Sequence, residues 1–138
     1  MNKNIPTFEA KCARCKSQFG HPSFGDFTYG ENIFYTIDGK QKVWVSAFST
    51  FPQRVNSVLD SSRSKGFWDI LATFADPVIG QELVARIVCP NCSCDRMDFW
   101  NGKQIGVEAV QEAMFLNSSR LDDLTLKLKL DMLARTQI

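Results

Sequence analysis

The sequence predicts an α+β domain in which β-hairpins and helices are joined by a four-cysteine metal site. Two Cys-x-x-Cys pairs, Cys12–Cys15 and Cys89–Cys92, lie on either side of a long insertion, residues 16–88. Several stretches are rich in β-branched and aromatic residues and flank favoured turn pairs, as in β-hairpins. Other stretches have apolar residues at helical spacing. Together these patterns predict strands, helices and one long-range link between them.

Length and composition indicate a single globular domain over residues 1–138. The chain has 138 residues, of which 44% are hydrophobic and 22% are charged. A chain of this size normally folds around one core, and this composition is not typical of a disordered protein. We therefore expect the metal to fasten a domain that also has its own apolar core.

The charge distribution excludes a strongly basic nucleic-acid binder. The formal net charge is +1. Residues 1–65 carry nine basic and five acidic side chains, or +4, and residues 66–138 carry seven and ten, or −3. This asymmetry is small compared with the clustered basic patch of dedicated nucleic-acid binders.

The N-terminal residues and the apolar runs predict a cytoplasmic protein with no membrane segment. Residues 1–6 are polar and precede no apolar core of a signal peptide. No apolar run approaches the ~20 residues that cross a bilayer. We therefore expect the five cysteines to be reduced thiols that are available to bind metal.

The first half of the chain predicts a short strand followed by a hairpin. Residues 8–11 form a short strand that leads into the first cysteine pair. Residues 32–37 and 42–48 are rich in β-branched and aromatic residues. Between them lies Asp38-Gly39, a favoured turn pair, which Lys40-Gln41 lengthens.

The middle of the chain predicts two helices separated by a surface loop. Pro52 opens the first helix, with Val55, Val58 and Leu59 on one face. Residues 61–66 have the composition of a loop, and residues 67–74 then have helical spacing. Asp76-Pro77 ends this helix, since the residue before a proline avoids the helical region.

The last third predicts a strand, a turn and a helical C-terminal segment over about residues 107–135. Residues 83–88 form a strand that delivers Cys89, and residues 97–100 precede the turn pair Asn101-Gly102. Residues 107–116 have helical spacing, with Val107, Val110, Ala113 and Met114 facing inward.

The segment after Ser119 fits a helix better than a strand. Its leucines alternate as in a strand from Leu124 to Leu130, but Leu121, Leu124, Leu128 and Met132 also keep helical spacing. Ser119 as N-cap and two aspartates in the first turn favour the helix. Such a helix is apolar on more than one face, so we expect the domain or a partner to cover it.

The two cysteine pairs have the spacing of metal ligands. Each pair places two thiolates on one tight turn, which is half of the ligand set of a tetrahedral Zn²⁺. Four such ligands form a closed site without an open position for substrate, so the metal is structural. Cys94 and His21 are alternative ligands, Cys94 through a Cys92-x-Cys94 arrangement.

The segments 11–16 and 88–93 resemble the knuckles of the zinc-ribbon group. In that group two β-hairpin knuckles face each other across one Zn²⁺. The resemblance implies one Zn²⁺ per chain, held by Cys12, Cys15, Cys89 and Cys92, and it identifies no particular family. Many ribbon knuckles have glycine after the second cysteine, where the turn favours a left-handed residue, and Lys16 and Ser93 occupy that place here. The insertion is long for a simple ribbon. It predicts a larger domain in which the metal links the two segments on either side of the insertion.

The functional prediction is a non-catalytic, zinc-stabilised interaction domain that binds another protein as an adaptor, assembly subunit or inhibitor. The sequence has no catalytic constellation: it has one histidine without a motif around it, and it has no glycine-rich phosphate loop. We therefore predict no enzymatic activity. The candidate contact residues are Lys42, Trp44, Trp100 and the C-terminal leucines.

Two other functions compete with this prediction. In the first, a nucleic-acid-binding zinc ribbon uses the cations Lys40 and Lys42 beside the rings of Tyr35 and Trp44. In the second, a zinc–thiolate site releases its metal on oxidation and acts as a redox switch. The second function would give Cys94 a role.

Overall fold

A computed structural model describes residues 1–24, 30–59 and 66–136. Within these ranges the chain forms three α-helices, α1 Thr50–Val58, α2 Phe67–Phe74 and α3 Asp123–Thr136. It also forms seven strands: β1 Asn2–Cys12, β2 Gln18–Pro22, β3 Glu31–Thr36, β4 Lys42–Ser46, β5 Leu83–Val84, β6 Met97–Phe99 and β7 Gln104–Glu112. These elements confirm the predicted α+β class.

The seven strands form one mixed sheet with the order β2-β1-β7-β4-β3-β5, and β6 also pairs with β1. All pairings are antiparallel except that of β4 with β7. This parallel pairing comprises only Val43–Gln111 and Trp44–Glu112. The sheet therefore has two parts joined by a short contact: β1, β2, β6 and β7 on one side, and β3, β4 and β5 on the other.

The helices cover one face of the β3–β4 hairpin and form the larger core. Phe34, Val43 and Val45 of the hairpin belong to the same buried cluster as residues of all three helices. The helical members of this cluster are Phe51, Val55, Ile70, Leu71, Ala72, Phe74, Leu126 and Leu130. Alternation along β3 and β4 places these strand residues on one face.

A second buried cluster lies between the two parts of the sheet. Ile33, Tyr35 and Trp44, from the opposite face of the hairpin, pack with Ile5 of β1 and Val110 of β7. Val88, next to the second cysteine pair, belongs to the same cluster. The two parts of the sheet therefore face each other across this cluster.

The predicted hairpin and the two central helices are confirmed. β3 and β4 pair from Glu31–Ser46 to Tyr35–Lys42. The backbone N–H of Thr36 donates to the carbonyl of Gln41 at 3.0 Å, which closes the lengthened turn. The predicted surface loop 61–66 lies outside the described residues, apart from Gly66.

The predicted helix over residues 107–116 is wrong, because residues 104–112 form β7. Val110 and Ala113 are buried as predicted, but Val107 and Met114 are exposed. β7 pairs along β1 from Asn2–Gln111 to Phe8–Gln104. This ladder with a strand from the other end of the chain outweighs the local helical spacing.

The pair Asn101-Gly102 forms a bulge and not the predicted hairpin turn. β6 and β7 pair with the same edge of β1, and the four residues between them bulge out of the ladder. The N–H of Gly102 donates to the carbonyl of Glu9 at 3.0 Å. The predicted strand 83–88 is shorter, since only Leu83–Val84 pairs, and the predicted strand 8–11 extends over Asn2–Cys12.

The C-terminal segment is a helix, and Asp122 caps it. The N–H of Thr125 donates to the carboxylate of Asp122 at 2.7 Å, which is the geometry of an N-cap. Ser119, the predicted cap, lies in a short 3₁₀ turn, Ser118–Arg120. Arg54 of α1 binds Asp123 at 2.9 Å and so ties the start of α3 to α1. None of the described helices is both long enough and apolar enough to span a membrane.

Candidate metal centre

Strand β1 holds both cysteine pairs in place. Cys12 is the last residue of β1, and the first knuckle, residues 12–17, connects β1 to the antiparallel strand β2. The second knuckle, residues 89–94, precedes β6, which pairs with the end of β1. The N–H of Ala13 also donates to the carbonyl of Arg96 at 2.9 Å. The two pairs therefore meet although the insertion separates them in the sequence.

The two knuckles have the same backbone turn. The N–H of Lys16 donates to the carbonyl of Cys12 at 3.1 Å, and the N–H of Ser93 donates to the carbonyl of Cys89 at 2.9 Å. Lys16 has φ 62° and Ser93 has φ 63°. Both residues are left-handed, at the position where many ribbon knuckles have glycine.

The sulfur atoms also accept equivalent hydrogen bonds. The N–H of Arg14 donates to Cys12 Sγ at 3.4 Å, and the N–H of Asn91 donates to Cys89 Sγ at 3.4 Å. Such N–H groups stabilise a thiolate because they donate to its charged form. Because the same hydrogen bond occurs in both knuckles, we interpret them as two equivalent halves of one metal site.

The sulfur atoms of the four cysteines lie within 4.8 Å of one another. The shortest contacts join the two knuckles: Cys12 Sγ to Cys92 Sγ at 3.5 Å and Cys15 Sγ to Cys89 Sγ at 3.6 Å. A tetrahedral Zn²⁺ with Zn–S bonds of about 2.3 Å places its sulfurs about 3.8 Å apart. A disulfide needs about 2.05 Å, and all four cysteines are free thiols. The donor set therefore fits a tetrahedral metal ion.

The pKa values of the thiols show why the cluster favours a cation. Hydrogen bonds from the side chains of Asn91 and Ser17 lower the pKa of Cys15 to about 5. A backbone hydrogen bond from Cys94 lowers the pKa of Cys92. Burial and the neighbouring thiols together outweigh this effect and raise the pKa to about 12. Burial also raises the pKa of Cys89. Four thiolates this close together repel one another, and a divalent ion removes that repulsion.

The turn of the β3–β4 hairpin lies against the second knuckle. Gly39 has φ +75°, and a Cβ placed there lies 2.5 Å from the carbonyl oxygen of Val88 and 2.8 Å from that of Cys89. Only glycine allows this approach, because it has no Cβ and accepts the left-handed region. The hairpin turn thus supports the backbone that carries two of the four sulfurs.

The two alternative ligands lie outside the cluster. Cys94 corresponds to Ser17 of the first knuckle, and its carbonyl accepts a hydrogen bond from the N–H of Cys89 at 2.8 Å. Its sulfur is not among the four that lie together. His21 is bound to the hydroxyl of Tyr35 through Nδ1 at 2.5 Å. The cluster consists of Cys12, Cys15, Cys89 and Cys92 among the residues that the structure describes.

The three predicted contact residues have different environments. Trp44 is 5% exposed, its Nε1 donates to the carbonyl of Met1 at 3.2 Å, and the ammonium of Lys3 lies 4.3 Å from its ring. Lys42 is paired with Glu108 at 3.1 Å. Trp100 is 54% exposed. Of the three, Trp100 alone presents a large free surface.

Sequence reasoning missed the supporting residues Gly39, Ser17 and Asn91. Ser17 and Asn91 lie beside or within the cysteine pairs, so their proximity to sulfur was visible in the sequence. The contact of Gly39 with the second knuckle was not visible in the sequence, because it depends on how the hairpin packs. A comparison of the chain with protein-family models, curated proteins and solved structures gave no match.

Proposed function

We propose that the chain is a non-catalytic interaction domain, held together by one structural Zn²⁺ in a split zinc-ribbon site, that binds another protein through α3. The observation that carries the proposal is an exposed apolar row on this helix. Leu124, Leu128 and Met132 are 70%, 57% and 66% exposed. We call these three residues the α3 row.

The α3 row is separate from the face of α3 that stabilises the fold. Leu126 and Leu130 are fully buried in the larger core. The row repeats at every fourth residue, so its three side chains lie one above the other on the helix surface. A helix of this pattern presents the anchors that bind an apolar groove of a partner protein. Burying such side chains is favourable by about 25 cal/mol per Å².

The metal site supports a structural and not a catalytic role. With four cysteine ligands, a zinc ion has no open coordination position for a substrate or an activated water. Cys12 and Cys89 are buried, which keeps the site close to the core. The four thiols supply the ligands, and the bound ion supplies the positive charge that holds the two knuckles together.

Part of the basic charge expected to bind nucleic acid is neutralised by ion pairs. Lys42 is paired with Glu108 at 3.1 Å, and Lys16 of the first knuckle is paired with Asp98 at 3.1 Å. Tyr35 and Trp44, the predicted stacking rings, are buried. These contacts favour a protein partner for the domain as a whole.

Site-specific photocrosslinking tests the proposal. A photoreactive phenylalanine analogue replaces Leu128 in one sample and Ile79, which is exposed and lies outside α3, in a control. We expect position 128 to crosslink a protein from the cells in which the chain occurs, and position 79 not to crosslink it. The double variant Leu124→Glu, Met132→Glu should abolish the crosslink from position 128 and leave the zinc content and melting temperature nearly unchanged.

Two results would contradict the proposed partner. Identical crosslinked species from positions 128 and 79 would show that the α3 row has no specific occupant. A crosslink at position 128 exclusively to a second copy of the chain would replace the foreign partner with self-association. Loss of zinc from the wild-type fold is a separate outcome and concerns the metal part of the proposal.

A further inference from the structure

Strand β7 pairs fully on one side and only at its end on the other. On one side it pairs with β1 over almost its whole length. On the other side it pairs with β4 at Gln111 and Glu112 alone. In the described part of the chain, no strand therefore pairs with residues 104–110 on this second side. We call this side of residues 104–110 the β7 edge.

Val107 and Ala109 direct their backbone groups to the β7 edge. Val107 pairs with Pro6 of β1. Pro6 has no N–H, and its carbonyl accepts a hydrogen bond from the N–H of Ser23 at 3.0 Å, on the β2 side of β1. In an antiparallel ladder, pairs that exchange hydrogen bonds alternate with pairs that do not. The N–H and C=O groups of Val107, and of Ala109 two residues later, therefore point away from β1.

The residues of the β7 edge are open to solvent. Val107 is 61% exposed and Ile105 is 52% exposed. Gln104 and Ala109 are exposed as well. A Cβ added at Gly106 meets nothing within 4 Å beyond its chain neighbours. The surface beside this part of β7 therefore has room for a further strand.

The β7 edge lacks the residues that protect an edge strand from pairing. Protected edges commonly carry a proline or a charged side chain. Residues 104–110 contain no proline, and their one charged residue is Glu108. Both carboxylate oxygens of Glu108 are bound, one to Thr7 Oγ1 at 2.7 Å and the other to Lys42 Nζ at 3.1 Å. These contacts hold the carboxylate, so it does not shield the edge.

The β7 edge is complementary to a second copy of itself. Antiparallel pairing about a two-fold axis at Val107 places the two Val107 side chains opposite each other, and it places Gly106 opposite Glu108 of the second copy. The valines then form an apolar pair, and no like charges face each other. The strand follows the basic Lys103 and ends at the acidic Glu112. Antiparallel pairing brings unlike ends together, whereas parallel pairing would join like ends.

We propose that two copies of the chain form a symmetric dimer in which the β7 edges pair antiparallel and the two Val107 residues exchange N–H to C=O hydrogen bonds. Both copies use the same surface, so the assembly closes at two chains. The paired segment is short, so the dimer is reversible and depends on concentration. It uses neither the cysteine cluster nor the α3 row, and it stands independently of the partner proposed for that row.

Sedimentation velocity of the zinc-loaded chain, from micromolar to millimolar concentration, tests the dimer. We expect the mass to rise reversibly from 15.6 kDa to twice this value. A chain that stays monomeric over the whole range overturns the proposal. Association that continues beyond two chains also overturns it, because pairing about a two-fold axis closes.

Charge variants at Val107 test the two-fold axis. Val107→Lys and Val107→Glu each place like charges opposite one another, so each should raise the dissociation constant of the dimer by about fivefold or more. An equal mixture of the two should associate again, because opposite charges then face each other. The control Ile79→Lys, at another exposed β-branched residue, should dimerise like the wild type. Unchanged dimerisation of Val107→Lys, or a mixture no tighter than either variant, overturns the two-fold pairing.

Hydrogen exchange of the backbone amides locates the pairing in the wild-type chain and does not depend on how the variants fold. We expect the Val107 amide to exchange more slowly as the dimer forms, because its N–H becomes bonded across the axis. The amides of Gly106 and Glu108, which face β1, should exchange at the same rate at all concentrations. A dimer in which Val107 exchanges as fast as in the monomer would show that the copies meet elsewhere, and would overturn the proposal.

Discussion

At the scale of single residues, each knuckle has a left-handed residue that is not glycine. Lys16 and Ser93 have φ values of 62° and 63°. A side chain in this region costs roughly 1–2 kcal/mol relative to a right-handed residue. The fold tolerates this cost because the turn directs the sulfurs of each pair towards the other pair.

We predict that Ser93→Gly stabilises the domain by about 0.5–1 kcal/mol, because glycine removes the strain but loses more entropy on folding. Ser57→Gly is the control, since Ser57 lies on the exposed side of α1. It should destabilise the domain by about 0.5 kcal/mol through helix propensity. Urea unfolding of the zinc-loaded protein measures both changes. A destabilised Ser93→Gly would show that the serine side chain has a role beyond the turn.

His21 predicts an acid-sensitive contribution to stability. Burial and Lys42 lower its pKa from 6.5 to about 4, so below pH 6.5 the unfolded chain binds a proton that the folded chain does not. The free energy of unfolding should therefore be unaffected by His21 above pH 6.5. It should fall as the pH drops towards 4, by a total on the order of 3 kcal/mol.

His21→Gln isolates this effect, because glutamine offers an acceptor to Tyr35 but has no proton to gain. The variant should show a shallower loss of stability between pH 6.5 and 4 than the wild type when both are measured by thermal unfolding. Parallel pH profiles of the two proteins would mean that His21 does not carry the acid sensitivity. Effects of low pH on the thiols are common to both proteins and cancel in the difference.

At the scale of elements, the hairpin turn and the second knuckle form a single unit. Gly39 and Gly80 both have positive φ, +75° and +72°. A Cβ at Gly39 meets the backbone of Val88 and Cys89, whereas a Cβ at Gly80 meets nothing within 4 Å. Both glycines therefore need a left-handed backbone, but only Gly39 also lies too close to a neighbouring segment to carry a side chain.

Gly39→Ala should therefore destabilise the domain more than Gly80→Ala and should also weaken zinc binding. Gly80→Ala should cost roughly 1–2 kcal/mol from backbone strain alone. Melting temperatures and competition with a metal chelator measure the two effects. Equal zinc affinities in the two variants would show that the hairpin turn does not support the metal site.

The local sequence predicts some elements well and others poorly. The β3–β4 hairpin was predictable because strands and turn are contiguous. The leucines of α3 fit a helix and a strand alike, and the helix was predictable because the two aspartates before Leu124 mark its start. β7 was not predictable from the local sequence, because its apolar residues fit a helix and its strand conformation depends on pairing with β1. Asn101-Gly102 is a turn-like pair in the sequence, but the continuous edge of β1 on both sides makes it a bulge.

At the scale of the whole molecule, the cysteine cluster joins the two segments that flank the long insertion. β1 carries the first pair and also forms the ladder with β7. The sequence could predict the cluster, because ligand spacing is visible in each pair and four thiols imply one site. It could not predict the two-part sheet or the β7 edge, since both depend on pairings between residues that are distant in the chain.

The metal should stabilise the whole domain by closing the loop formed by the insertion. A crosslink across a segment of this length removes about 4 kcal/mol of unfolded-chain entropy, and the free energy of zinc binding adds to it. We therefore expect Cys89→Ser, or complete chelation, to lower the melting temperature strongly and to loosen tertiary packing in near-ultraviolet circular dichroism. Ser17→Ala, which keeps all four sulfurs, should have a much smaller effect.

The native mass of the untagged protein, compared with its denatured mass, tests whether the four cysteines hold one metal ion. We expect a difference of one Zn²⁺ per folded chain, and loss of that ion in Cys89→Ser. A folded wild-type protein whose native mass equals that of the reduced, metal-free chain would contradict it. A mass below the reduced value would also contradict it, because it would show that the cysteines form disulfides in place of a metal site.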